Sequence, residues 1–246
     1  MADRLAPWLL AALAAATRLP LAGRSLGEAD CPRYVDGVLQ WLRRGPDAHW
    51  IYAKVLSPGY YAAAAWLVAQ THITPHRLLV GASIAAAIVT APMAYWLGRR
   101  FCGPLAAASG TALFLLAPGV WWLGLEAHPA GAALLLVLAA MAAWMRALKN
   151  LERPHWGWTL IALACFSAAL LLKADFALFG LIFPALALRD GAWRERRAAV
   201  AGGILFGLSL GVFFALRPGL IALTAASAGE QTQAAVARFL TLPHGT

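Results

Sequence analysis

Charge is scarce in this chain. Only 13% of its 246 residues are Asp, Glu, Lys or Arg, against about 25% in a soluble domain. Carboxylates are scarcer than cations, with eleven Asp and Glu against twenty Lys and Arg. Cysteine is limited to Cys31, Cys102 and Cys165. An odd and widely separated set argues against a disulfide framework, and no metal-ligand spacing accompanies it. Strict apolar/polar alternation is missing, which excludes a β-barrel. No internal repeat is visible. What the chain has instead is apolar length: 61% of residues are hydrophobic and the mean hydropathy is +0.67. The apolar residues come in Leu/Ala-rich runs close to bilayer length. These imply an all-α fold, a polytopic membrane bundle of about seven transmembrane helices. The net charge of +9 does not point to nucleic acid, because the Lys and Arg sit between apolar runs. There they serve to fix orientation in a membrane.

The runs can be taken in order. Residues 5–22 form a first span, ended by Pro20 and Gly23; a cleaved signal peptide is the alternative. Further spans are expected over 76–97, 104–123, 129–147 and 198–216. Residues 157–172 and 176–188 read as a helical hairpin with Lys173 and Asp175 at its tip. Trp96 and the pair Trp121-Trp122 suit interface positions. The loops 98–103, 146–156 and 189–197 hold nine Lys and Arg. The alternating short loops 124–128 and 173–175 hold only Lys173. That bias puts the basic loops in the cytoplasm, with Glu126, His128 and Lys173 on the external face.

Between the first two long spans lies the most polar stretch of the chain, holding four of its eleven carboxylates between residues 28 and 61. Val35, Val38, Leu39 and Leu42 follow the helical period, with Asp36, Gln40, Arg43 and Arg44 opposite. The spacing predicts a helix lying flat on the membrane surface, with Trp41 near the headgroups and Gly45-Pro46 as its stop. Ser57-Pro58 reads as a cap followed by Pro at the first helical position. The apolar run 60–69 is short for a span, so 58–72 is expected to be a second surface or re-entrant helix. A short transmembrane helix is the alternative, and it would carry the whole loop to the cytoplasm, as its five basic residues favour.

Several residues in this arrangement suit chemistry. Glu28 and Asp30 lie two apart at the end of the first span, where a partly buried carboxylate serves as a general base on a hydroxyl. Glu126 and His128 come from a different helix end on the same expected face. Lys54 and Lys173 add cations able to neutralise a leaving phosphate. Lys173 also interrupts an apolar hairpin, where a charge costs roughly 2.5–3.5 kcal/mol on insertion scales, unless it reaches the interface by snorkelling. Tyr60 and Tyr61 are either belt anchors or the lining of a sugar or lipid groove. His72 and His76 are four apart, but Pro75 between them breaks a shared face. An acidic pair is able to hold a divalent cation, Mg or Mn; no other cofactor is indicated.

At these residues a family resemblance emerges. The order is a first span, then E-A-D with Arg33-Tyr34, an amphipathic helix ending W-L-R-R-G-P, then K-V-L-S-P-G-Y-Y. It resembles the GT-C superfamily of lipid-phosphate-sugar-dependent glycosyltransferases, in the branch of protein O-mannosyltransferases and bacterial aminoarabinose transferases. The stretch Tyr95 to Pro129, ending in E-A-H-P, and the L-L-L-K-A stretch at Leu170 to Ala174 are similar to the same family. The resemblance covers roughly residues 5–216. It implies a transmembrane module over 1–216 with surface helices in an external loop at 23–75, and a further external loop at 217–246. Because members are about twice as long, the chain resembles an amino-terminal half.

The resemblance also implies a function. The expected donor is a polyprenyl-phosphate-linked sugar, and the expected acceptor is a hydroxyl on a lipid, glycan or protein at the external face of a bacterial inner membrane. Asp30 is expected as the base, with Glu28 as partner or alternate. Members often have adjacent Asp and Glu where this chain has Glu28-Ala29-Asp30. Lys54 and Lys173 would contact the phosphate, and Arg33, Tyr60, Tyr61, Glu126 and His128 would line the substrate site. The other classes open at this point are a transporter or lipid flippase, and a non-catalytic membrane assembly subunit.

Overall fold

Proline at the first helical position starts much of this fold. Pro needs no N–H partner there, and its ring presets the helical φ. In the computed structural model, which describes residues 2–22, 30–44, 58–148, 156–187 and 193–215, Pro opens four helices. These are α3 (Pro58–Thr71), α4 (Pro75–Gly98), α5 (Pro104–Leu116) and α6 (Pro118–Leu123). The other helices are α1 (Ala2–Arg18), α2 (Asp30–Arg44), α7 (Ala130–Leu148), α8 (Trp156–Leu172), α9 (Ile182–Ala187) and α10 (Trp193–Ala215). Short 3₁₀ segments follow α1 at Leu19–Leu21 and precede α9 at Ala174–Leu181. No strand occurs among the described residues, so the fold is all-α as expected.

Two helices, α4 and α7, are long and apolar enough to cross a membrane by length and composition. Among the other expected spans, α1 and α8 have 17 residues each, and the apolar part of the 23-residue α10 is limited to Val200–Phe213; two runs are broken. The run 104–123 divides into α5 and α6 at Pro118, and 176–188 becomes the 3₁₀ segment plus α9. Large apolar side chains point outward on several of them. Leu105, Leu113 and Leu178 are 80%, 73% and 77% exposed.

Helix α4 is the axis of the packing. Its first half joins Leu79, Val80 and Ile84 to Val38 of α2 and to Tyr60, Tyr61, Ala64 and Ala65 of α3. Its second half joins Ala91 and Tyr95 to Leu10 and Ala14 of α1 and to Ala107 and Leu115 of α5. On its remaining side it packs against α7. A third core forms where α7, α8, α9 and α10 meet, around Trp144, Phe166, Phe183 and Phe213. There the Trp144 indole donates to the Phe183 carbonyl at 3.1 Å, just where Pro184 interrupts the helical ladder.

The bundle has two distinct ends. α1 runs antiparallel to α4, so Asp3 at the start of one meets Arg99 at the finish of the other. Arg99 donates to both Asp3 oxygens, at 2.9 and 3.1 Å, and the Tyr95 hydroxyl donates to the same carboxylate. Arg100, Arg146 and Trp158 border the same cleft. Two of the expected basic loops therefore share an end, and the turn 124–128 lies at the other.

Helix α3 has 14 residues, about 21 Å of helix, well short of the roughly 30 Å of a bilayer core. Its C-terminus closes at His72, which adopts φ 57° and donates its N–H to the Val68 carbonyl. Three residues later α4 begins. The two helices thus form a hairpin in which α3 packs on the first half of α4, remote from Arg99. His72 and His76 fall on opposite sides of the turn.

The buried face of α2 differs from the expectation. Val38 is fully buried, but Leu39 and Leu42 are exposed, and Trp41 packs on the core instead of standing apart from it. The inward positions are Tyr34, Val35, Gly37, Val38 and Trp41. Val35 and Val38 of the predicted set are therefore inward, and Tyr34, Gly37 and Trp41 complete the face in place of Leu39 and Leu42. The cause lies at Gly37, where any Cβ would overlap the ring of Tyr61. The tyrosine of α3 selects the glycine face and turns two leucines outward.

Two predictions follow from these contacts. Gly37→Ala should lower stability by about 1–3 kcal/mol through overpacking. Gly81→Ala, on an exposed face of α4 with open space around it, should raise it by about 0.5–1 kcal/mol. Thermal unfolding of both variants checks the pair. The second concerns Asp3. Its carboxyl is lowered from 3.8 to about 2, first by the hydrogen bonds from Arg99 and then by that from Tyr95. A carboxylate with a depressed folded pKa stabilises above its unfolded value and loses that contribution as pH falls. The melting-temperature gap between wild type and Arg99→Gln should therefore narrow from about pH 5 to about pH 2. A constant gap over that range would remove the ion pair as its source.

Candidate functional site

The turn between α6 and α7 is built to bury a carboxylate. The Trp122 carbonyl accepts from the N–H groups of Leu125 and Glu126, and the His128 N–H donates to the Glu126 carbonyl at 2.7 Å. This tight winding carries Leu125, Glu126 and Ala127 inside, each no more than 4% exposed. One carboxylate oxygen of Glu126 is buried and meets no hydrogen-bond donor among the described residues.

His128 then caps α7. Its Nδ1 accepts the N–H of Ala130, the first residue of α7, at 3.0 Å, so a side chain from just before the helix caps one of its open N–H groups, across Pro129. An Nδ1 that accepts carries no proton, so the ring proton belongs on Nε2. Nε2 lies 3.2 Å from the Tyr34 hydroxyl oxygen and donates to it. The His128 carbonyl also accepts from Ser83 of α4 at 3.3 Å. One residue thereby joins α2, α4 and α7.

Around this point the aromatic rings converge. Tyr34 meets the His128 ring edge-on, with centroids 4.9 Å apart. It also contacts Tyr60 edge-on at 5.8 Å and stacks with Tyr61 at 6.1 Å. Tyr60 and Tyr61 are both buried, so they form the wall behind Tyr34. Gly59 sits against the backbone of Leu171, which brings the start of α3 to the end of α8. Just past that end, Lys173 stands in extended conformation between α8 and the 3₁₀ segment. Its Nζ pairs with Asp175 at 2.9 Å.

The expected site residues can now be placed. His128, Tyr60 and Tyr61 come together, and Lys173 lies at the same end of the bundle, past the α8 terminus that α3 touches. Glu126 belongs to the same turn but is turned inward. Arg33 is exposed on α2 beside Tyr34. Asp30 is the first residue of α2, about one turn before Tyr34. Glu28 and Lys54 lie outside the described residues. Metal binding was expected, if at all, from Glu28 and Asp30. Among the described residues no group of three or more His, Cys, Asp or Glu is placed to hold an ion.

The structure adds two side chains of weight. Tyr34 is the hub of the ring cluster. Arg18 is fully buried at the end of α1. Its Nη2 donates to the Leu115 carbonyl at 2.9 Å, and its Nη1 approaches the Ala14 carbonyl at 3.4 Å. The break at Ala117-Pro118 frees the Leu115 carbonyl, and the guanidinium fills the opening. A lone Arg within the apolar run 5–22 was the available signal for it, since an ionisable group in such a run is costly without a partner.

The comparisons with known proteins give no match. Neither a family model, nor a curated protein, nor a solved structure resembles the chain closely enough to be paired with it.

Chemically, the His128 end combines a neutral imidazole with fixed proton position, the half-buried Tyr34 ring backed by two buried tyrosines, and an ammonium group paired with Asp175. Because His128 supports α7 through Nδ1, His128→Ala should cost about 0.5–2 kcal/mol of stability, and His128→Asn should recover most of it. Denaturant unfolding of the two variants tests this. Equal losses would show that the cap is not what the residue supplies.

Proposed function

We propose that the chain is a polytopic protein of the inner (plasma) membrane that transfers a sugar from a polyprenyl-phosphate-linked donor to a hydroxyl acceptor. The observation that carries this reading is the contact of Tyr34 with His128. It brings the polar stretch after the first helix onto the turn E-A-H-P, at the end of the bundle away from Arg99, Arg100 and Arg146. The outward apolar side chains of α5 and the 3₁₀ segment are consistent with a lipid surround.

In this reading Asp30, with Glu28 as partner or alternate, takes the proton of the acceptor hydroxyl. The acceptor oxygen bonds to the anomeric carbon while the bond from that carbon to the phosphate oxygen breaks. The polyprenyl phosphate leaves as an anion, its charge offset by Lys54 and Lys173. Tyr34 faces the sugar with Tyr60 and Tyr61 buried behind it, Arg33 flanks it, and His128 holds the acceptor side; Glu126 is turned inward and supports the turn rather than touching the acceptor.

Asp30→Asn and Glu28→Gln should lower transfer from a labelled donor by roughly 10²–10⁴-fold if the altered acid is the base, with membrane insertion unchanged. Full activity in both variants would discard the acid assignment. Impermeant thiol reagents should label Cys31 from the external side. Labelling only from the cytoplasm would separate Asp30 from the proposed face.

A further inference from the structure

The basic end of the bundle holds a cleft that takes no part in the site described above. Its volume is about 730 Å³, and it lies among the start of α1, the end of α4, the second half of α7 and the start of α8. The lip is cationic. Arg100 and Arg146 are exposed there, and among the described residues neither forms an ion pair with a carboxylate. Asp3, the acid in the lining, is already held by both arms of Arg99. The Arg146 guanidinium lies 4.7 Å above the centre of the Trp158 ring, which holds its charge at the mouth.

Below the lip the cleft is apolar. Ala139, Ala142 and Ala143 line it at i, i+3 and i+4 on one face of α7. Their small side chains leave a shallow channel between exposed Trp96 on α4 and Ile161 on α8. Two guanidiniums without a carboxylate partner among the described residues, above an apolar channel, complement an amphiphile with an anionic head. Guanidinium matches phosphate oxygens in bidentate geometry. A free phosphate would use the arginines but leave the channel and its tryptophan walls without a partner.

We propose that this cleft binds an anionic phospholipid, with its phosphodiester between Arg100 and Arg146 and an acyl chain along Ala139 and Ala142. The proposal rests on the membrane-embedded reading given above, since basic pockets at the cytoplasmic ends of helices face anionic headgroups.

The test uses the full chain extracted in detergent, with bound lipid counted by native mass spectrometry. Phosphatidylglycerol, phosphatidylcholine and inorganic phosphate are titrated separately and in competition. Phosphatidylglycerol should be retained over phosphatidylcholine, and each arginine removed should weaken it about fivefold. The Arg100→Gln/Arg146→Gln double variant should therefore lose most of the preference. Ala142→Trp, which fills the channel and leaves both charges, should also lose the lipid. Wild-type binding in both variants, or no preference between the two lipids, overturns the proposal. So does displacement of phosphatidylglycerol by an equal concentration of inorganic phosphate, which would assign the arginines to a free anion. A chain that needs no detergent to leave the membrane fraction would sink the membrane reading along with it. An embedded chain without lipid preference sinks the lipid site alone.

Discussion

Three helices of this protein meet through His128. Its ring nitrogen closes the open N-terminus of α7, its other nitrogen reaches Tyr34 of α2, and its carbonyl accepts from Ser83 of α4. None of these bonds is strong alone; a net hydrogen bond contributes roughly 0.5–1.5 kcal/mol. Their value lies in what they make simultaneous. The cap fixes the tautomer, the tautomer fixes which nitrogen faces Tyr34, and Tyr34 gathers Tyr60 and Tyr61. The course of α2 along the bundle follows from that chain of dependence.

The two ends of α1 show a related logic with charges. At its start, Asp3 is exposed and satisfied by Arg99 and Tyr95. At its finish, Arg18 is buried; one arm of its guanidinium donates to the Leu115 carbonyl that a proline break has released, while its Nε meets no acceptor among the described residues. An isolated guanidinium is costly to bury, and a helix end with open carbonyls is an equal liability. Each offsets the other, and together they hold α1 against α5 and α6. The same helix therefore connects the basic end, where the lipid cleft lies, with the end that carries the tyrosine cluster.

Much of the architecture was legible beforehand. Pro58 reads as the first residue of a helix, and the basic residues mark one end of the bundle; Pro118, which starts α6, reads as lying inside one span. The shortness of the run 60–69 is matched by the 14 residues of α3. The candidate site was legible in part. His128, Tyr60, Tyr61 and Lys173 were singled out by residue type and position, and they fall at one end. Tyr34 was seen only as a neighbour of Arg33, and Arg18 not at all. The inward face of α2 was read correctly at Val35 and Val38 and wrongly at Leu39 and Leu42. A helical period is satisfied equally well by 35, 38, 39 and 42 and by 34, 37, 38 and 41. Nothing within α2 itself chooses between them.

By itself the sequence determined that the chain is helical and apolar, where several of its helices begin, and which loops carry the positive charge. Those properties are local: proline geometry, run length and the placement of Lys and Arg act through neighbours in the chain. Only the tertiary structure decided which face of α2 is buried, where Glu126 points, and what satisfies Arg18. Each of those outcomes depends on a partner far away in the sequence. Tyr61 excludes any side chain at residue 37, the turn after Trp122 winds Glu126 inward, and Leu115 offers Arg18 a carbonyl. Such contacts form between surfaces brought together by packing, and no local pattern of residues encodes them.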